Sequence, residues 1–275
     1  NQKLRSDVPI GMFLSGGLDS TLIACAIKKV FNKEIKSYTI DFPGNNQKHF
    51  KRSKLISKEL GIENNQILFN SNKALESLQI LPKSITSFYV DPAQLPLLIL
   101  SKFASKKTPV VFGGDGADEL FNGYERYKRF RIVNFLRKNK FHKLITIFDF
   151  LKPETKLTRY WESLRAESSY LSYLNIFNFW EGRPPLFERN AFKSKINFKD
   201  PCLIDQEFYL PEVILRKSDS CTMQYGIEAR LPFLSNKLIS LSKSIRNDFP
   251  KLSKKYIFLS LLKDYIGEKI YYEYK

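Results

Sequence analysis

Several residue types that usually carry chemistry are scarce in this 275-residue sequence. Its two histidines, His49 and His142, have no partner motif and read as surface residues. The three cysteines (Cys25, Cys202, Cys221) are odd in number, scattered and not at metal-ligand spacing, which excludes a thiolate metal centre. That usage reads as a reducing compartment, so the expectation is a cytoplasmic protein. No apolar run reaches the roughly 18 residues that a membrane span needs. Residues 1–7 lack the apolar stretch of a signal peptide, and the missing initiator methionine gives the expectation of a piece of a longer chain. Acidic residues are the minority sign, 28 against 45 basic, for a formal charge of +17. Such a field draws in polyanions, ATP or nucleic acid alike. The lysines are spread along the whole chain, however, with no aromatic-interleaved basic stripe, so a nucleic-acid partner is not expected. Internal repeats and low-complexity linkers are also missing.

What is present is a globular composition, 43% apolar and 14% aromatic, with length for one large or two modest domains. An apolar run from Ile10 to Leu14 feeds the stretch Ser15-Gly16-Gly17-Leu18-Asp19-Ser20. Beyond it Leu22, Ile23, Ala26, Ile27 and Val30 recur at helical spacing. The chain thus passes from a strand through a Ser-Gly-Gly turn into a helix. Paired glycines let backbone N–H groups converge on a ligand, and a helix start adds unpaired donors and the positive end of its dipole. Ser15 and Ser20 add hydroxyl donors. Asp19 is the oddity, because a carboxylate beside a phosphate cradle repels unless a cation, normally Mg²⁺, bridges them. The spacing is neither a Walker A loop nor a dinucleotide G-x-G-x-x-G. Taken alone, the turn also reads as a plain capped helix start with no ligand.

Further strands are expected at residues 35–42, 66–69 and 109–112. Helical patterns lie between them: one carrying Leu55, Ile56 and Leu60 and stopped by Gly61, then 73–87 and 95–107, separated at Asp91-Pro92. Alternating strands and helices predict a parallel α/β sheet, with ligands beyond the strands' carboxyl ends. The last strand runs into Gly113-Gly114-Asp115-Gly116-Ala117-Asp118-Glu119, a second glycine turn. If the strands before the two turns are neighbours, Asp19 and Asp118 face one crevice and suit Mg²⁺ on phosphate oxygens. Asp115 falls in the tight turn itself. Residues 131–205 hold no legible motif; Trp161, Tyr170, Tyr173, Phe177, Phe179 and Trp180, punctuated by Pro153 and Pro184-Pro185, read as core aromatics of helices beside the sheet.

The stretch from Ser15 to Ser20, followed by Gly113 through Asn122-Gly123-Tyr124, resembles the synthetase domain of glutamine-dependent asparagine synthetases, within the ATP pyrophosphatases. Two further stretches agree in order: Tyr209-Leu210-Pro211 with Arg216, Asp219, Met223 and residues 226–234, then Lys254-Lys255-Tyr256-Ile257. The resemblance implies a Rossmann-like (HUP-type) parallel sheet with flanking helices and an added, mostly helical C-terminal part. It implies a nucleotide-binding core over residues 1–130, a helical region over 131–275, and an N-terminal glutaminase domain absent from this chain. A glutaminase domain or subunit is then an expected partner, beside small-molecule substrates. The implied reaction activates an acid, aspartate in the main branch, as an acyl-adenylate with loss of pyrophosphate, and ammonia then displaces AMP.

Carried over residue by residue, Ser15, Gly16, Gly17 and Ser20 would cradle pyrophosphate. Leu14, Ile40, Gly113, Gly114 and Tyr124 would line the nucleotide, and Asp19 and Asp118 would hold Mg²⁺. Asp115 matches an acidic position near the intermediate. Lys255 matches a lysine that meets the α-phosphate, with neighbouring Lys254 as its competitor. Glu119, Glu228 and Arg230 are candidates for substrate contact; Glu228 and Arg230 read equally well as an ion pair with each other. The sequence departs from the family at Gly113, often serine, at Ser235, usually aspartate, and at Thr86-Ser87-Phe88, often Asp-Glu-Pro. The segment that usually follows Lys275 is absent, so a lid is expected to be missing. Two other readings stay open: a related synthetase acting on another acid from sugar or secondary metabolism, and a truncated nucleotide-binding domain without turnover.

Overall fold

The computed structural model describes residues 2–44, 48–84, 91–139, 160, 163, 164, 166, 172, 173, 200–249 and 252–274. His142, Thr86-Ser87-Phe88 and, Tyr173 aside, the aromatics and prolines singled out between 131 and 205 lie outside them.

Strand β1 (Ile10–Phe13) leads into helix α1 (Leu18–Cys25), which continues as a π-helical stretch, Ala26–Val30. Then follow β2 (Lys36–Asp41), α2 (Lys48–Leu60), β3 (Glu63–Leu68), α3 (Ser71–Ser84), α4 (Gln94–Ala104), β4 (Val110–Phe112) and the short α5 (Ala117–Phe121). Gly61, at φ +62°, turns the chain out of α2, as its left-handed conformation allows. β3 begins three residues before the strand expected at 66–69. Its polar Asn64 hides the strand pattern, yet that side chain is used, accepting from Thr39 Oγ1 at 3.0 Å.

The sheet has five parallel strands in the order β3-β2-β1-β4-β5. β5 (Glu228–Arg230) was not expected as a strand. It is three residues long and comes from the far end of the sequence to pair with β4, Val110 opposite Glu228 and Phe112 opposite Arg230. Both sheet faces are covered, as a parallel sheet requires. Met12, Leu14, Ile23, Phe112, Leu120 and Phe121 pack on one face with Phe233, Phe258 and Leu262, and the rings of Phe233 and Phe258 stack at 5.4 Å. Tyr38, Leu100, Ala104, Val111 and Ile227 fill the other. Each such buried side chain contributes about 1.5–3 kcal/mol by removal from water.

The described residues group into two compact units, Asn1–Phe121 with Tyr209–Lys275, and Asn122–Phe208. In the second unit, helix α6 (Glu125–Lys138) buries Tyr127, Phe130 and Val133 against Leu164, Tyr173, Cys202 and Ile204. There the buried Asp205 accepts from Arg126, from Tyr127 at 2.6 Å and from Tyr173 at 2.8 Å. A buried carboxylate with three donors is a satisfied structural network. No helix among the described residues is long and apolar enough to cross a membrane.

Candidate active site

β1 and β4 are hydrogen-bonded neighbours, Met12 opposite Phe112, so the turns that leave them lie side by side at the sheet's carboxyl edge. The first is a compact polar knot. Gly17 N–H donates to Ser15 Oγ at 3.2 Å, Ser15 and Ser20 share a hydrogen bond at 3.1 Å, and Ser20 donates back to Gly17 O at 3.2 Å. Gly16 sits at φ +74°, and a Cβ there would stand 2.3 Å from His49 O. No other residue fits that position without moving α2. The second turn also packs tightly, since a Cβ on Gly114 would lie 3.2 Å from the Cβ of Asp19.

The two expected metal carboxylates meet at one ammonium. Lys254, first residue of the helix Lys254–Leu262, donates to Asp19 Oδ2 at 2.9 Å and to Asp118 Oδ1. Burial pushes Asp19 up to about 6 against the pull of Lys254, and Asp118 and Asp115 add to the rise. Burial alone would lower Lys254, but the two carboxylates outweigh it and hold the ammonium above the usual lysine range. Asp19 Oδ1 is buried with no hydrogen-bond partner. An orphaned oxygen on a carboxylate that shares its ammonium with a second carboxylate suits a hard cation, and Mg²⁺ commonly takes one or two carboxylates and completes its shell with water and phosphate. Among the described residues no group of three or more His, Cys, Asp or Glu is arranged to hold a metal ion. Two carboxylates are the number Mg²⁺ takes when phosphate oxygens and water supply its other ligands.

Asp115 is raised by burial, opposed by a hydrogen bond from Ser218 and by the Lys217 ammonium. Lys217 also pairs with Asp91 at 2.9 Å. Asp91, Lys217 and Ser218 escaped the sequence reading because no spacing rule links residues so far apart. Leu14 is wholly buried, its N–H donating to Tyr38 O and its C=O accepting from Thr39, so it forms floor. Ile40 is half-buried, packed beside Tyr38 and Val111. Gly113 donates to Arg230 O at 3.0 Å, and Glu119 is buried. Tyr124 belongs to the second unit, where the Arg126 guanidinium stacks 3.7 Å from its ring centroid. Lys255 is exposed on the same helical turn as Lys254.

For Glu228 and Arg230 the geometry favours the ion pair. Arg230 Nε donates to Glu228 at 2.7 Å, while Nη1 reaches the carbonyls of Lys3 and Arg5 at 2.8 and 2.7 Å. A guanidinium engaged in this way ties the edge strand to the N-terminal segment. Arg230→Met is expected to cost about 1–2 kcal/mol, seen as a melting temperature lower by a few degrees, with the KM of any acid that supports turnover unchanged. A selective rise in that KM would return Arg230 to the substrate.

The asparagine synthase family model matches residues 1–275. Asparagine synthetase [glutamine-hydrolyzing] 1 of Bacillus subtilis is 28% identical over 274 residues, covering 90% of this chain and 42% of its own length. A putative asparagine synthetase [glutamine-hydrolyzing] of Mycobacterium bovis is 27% identical over 265 residues, covering 88% and 40%. The Rattus norvegicus asparagine synthetase [glutamine-hydrolyzing] is 30% identical over 130 residues, covering 45% and 23%. The chain thus spans about two fifths of the length of the first two of these relatives.

Proposed function

The chain belongs to the asparagine synthase family, and from that premise we propose that it is an ATP-dependent, amide-forming ligase that activates aspartate as an acyl-adenylate for attack by ammonia. One observation carries the reading: Asp19 and Asp118, from turns after adjacent parallel strands, converge on Lys254 beside a Ser-Gly-Gly turn.

The chain's own groups divide the work as follows. The hydroxyls of Ser15 and Ser20 and the unpaired N–H groups at the start of α1 bind the β- and γ-phosphates, joined by Gly17 N–H as it exchanges Ser15 Oγ for a phosphate oxygen. Asp19 and Asp118 would hold Mg²⁺, which neutralises charge on the departing pyrophosphate when bound. The Lys254 ammonium, held on Asp19 and Asp118, would meet the same phosphates, and Lys255, one residue on, is the second candidate for the α-phosphate. Either would act as a point charge on the pentavalent centre. Asp115, raised by burial, is poised to take at its carboxylate the proton that the nitrogen sheds once ammonia has added to the acyl carbon and AMP leaves. Holding carboxylate and α-phosphate in line supplies the remainder of the rate. The glutamine-hydrolysing relatives make a glutaminase domain or subunit the expected nitrogen source; without it, free ammonia serves.

Pyrophosphate release from ATP, Mg²⁺ and ammonium, measured against a panel of carboxylic acids, tests the proposal. Release that depends on aspartate supports it. Release with another acid moves the chain to a different synthetase of the family, and none with any acid reduces it to a nucleotide-binding domain.

A further inference from the structure

α2 turns most of its basic residues to solvent, but Arg52 is only 6% exposed. Its guanidinium donates to Gly16 O at 3.3 Å and to Glu273 O at 2.6 Å, and lies 4.2 Å from the centroid of the Tyr274 ring. Among the described residues no carboxylate pairs with it, and its Nε is buried without an acceptor. Tyr274, itself buried, donates its hydroxyl to the same Gly16 carbonyl at 2.9 Å and shares a 2.6 Å bond with Thr21 Oγ1. With the tyrosine proton on Gly16, the one Thr21 proton is shared between the Tyr274 oxygen and Gly17 O, the latter 2.8 Å away.

A trans peptide points its C=O and N–H in opposite directions, and no peptide bond among the described residues is cis. Two donors behind Gly16 O therefore fix where the Gly17 N–H points, towards the side of the turn that carries the Ser15 and Ser20 hydroxyls. A flip of this peptide would present a carbonyl oxygen to an anion in place of an N–H. A glycine on each side of this peptide leaves ψ of Gly16 and φ of Gly17 free of Cβ restriction, so such a flip is accessible to the backbone and something has to prevent it. A buried cation without an acidic partner is costly in itself. Here the missing negative charge would be the ligand on the other side of the turn.

We propose that Arg52 and Tyr274 are positioning residues for the polyphosphate of ATP, bracketing the Gly16 carbonyl from behind and setting a buried positive charge under the Ser15–Ser20 turn. The inference rests on the nucleotide reading above, and neither residue belongs to the stretches that carry the family resemblance. It also gives residues 273 and 274 a task, since they close the bracket.

The test is calorimetric titration of the full chain with inorganic pyrophosphate and, separately, with adenosine. Tyr274→Phe keeps the ring under the guanidinium and deletes the hydroxyl. Arg52→Lys keeps charge without the fork, and Arg52→Met removes both. Pyrophosphate affinity is expected to fall about fivefold in Tyr274→Phe and about 30-fold in Arg52→Met, with Arg52→Lys between them. Its salt dependence is expected to flatten in Arg52→Met alone. Adenosine affinity is expected to stay at the wild-type value throughout, which a general loss of structure would not allow. If Arg52→Met fails to fold, Tyr274→Phe and Arg52→Lys carry the same comparison. Wild-type pyrophosphate affinity in the folded variants overturns the bracket and leaves the nucleotide reading standing. A wild-type chain that binds neither pyrophosphate nor ATP overturns both.

Discussion

Asp19→Ala is expected to abolish acid-dependent pyrophosphate release, with a loss of about a thousandfold or more. The carboxylate lies where the two glycine turns meet, one oxygen on Lys254 and the other buried without a partner. Alanine removes the charge that balances Lys254 and the oxygen best placed for a divalent cation. The turn keeps its hydroxyls, so nucleotide binding is expected to weaken far less than turnover. Near-normal release would remove Asp19 from the metal. A second expectation concerns stability rather than rate. Burial holds Asp19 at about 6 in the folded chain, above its ordinary value of 3.8. A raised carboxyl lends its stability in full below the unfolded value and loses it as pH rises through the folded one. Removing this titration with Asp19→Asn should therefore help the ligand-free protein more as pH climbs from 4 to 7, by about 2–3 kcal/mol over the window. Chemical denaturation of both proteins across that range measures it, and a difference independent of pH would refute the burial argument.

Much of this site was legible because its chemistry is local in sequence. The Ser-Gly-Gly turn and the Gly-Gly-Asp-Gly turn each declare a strand end, a backbone that must come close, and a carboxylate. The parallel alternation then brings the two together, as the pairing of β1 with β4 shows. What stayed hidden was carried by residues whose partners are remote. β5 is too short to show a period and exists because Phe112 and Val110 offer it an edge. Arg52 reads as one more lysine-rich helix position until the fold places Gly16 against it. Tyr274 lies among other tyrosines near the chain's end, and only tertiary contact with Thr21 and Gly16 gives it a role. On sequence Lys255 is the favoured lysine and Lys254 its competitor, and the choice of Lys254 as the buried one was not legible for a similar reason. Both start the same helix, and a rotation of about 100° separates a buried ammonium from an exposed one.

That choice supports the other large expectation. Lys254→Met is expected to cut pyrophosphate release by about a hundredfold and to make the ligand-free protein depend on divalent cation. Lys254 is 9% exposed and serves two carboxylates at once, so its removal leaves Asp19 and Asp118 facing each other across partly buried space. Breaking a buried pair by deleting one partner costs about 3–5 kcal/mol, and repulsion between the carboxylates adds to the loss. A divalent ion can replace the lost ammonium as their shared counter-charge, where in the wild type it competes with Lys254 for the same oxygens. The melting temperature of Lys254→Met should start lower than wild type and rise further with Mg²⁺, and Mn²⁺ titrated by electron paramagnetic resonance should bind about tenfold tighter. Lys255→Met leaves the carboxylate pair intact, so it is expected to slow turnover with the metal's half-saturation unchanged. If instead Lys255→Met tightens the metal and Lys254→Met does not, the ammonium that answers to Asp19 and Asp118 is the exposed one, and the helix presents its other face to the site.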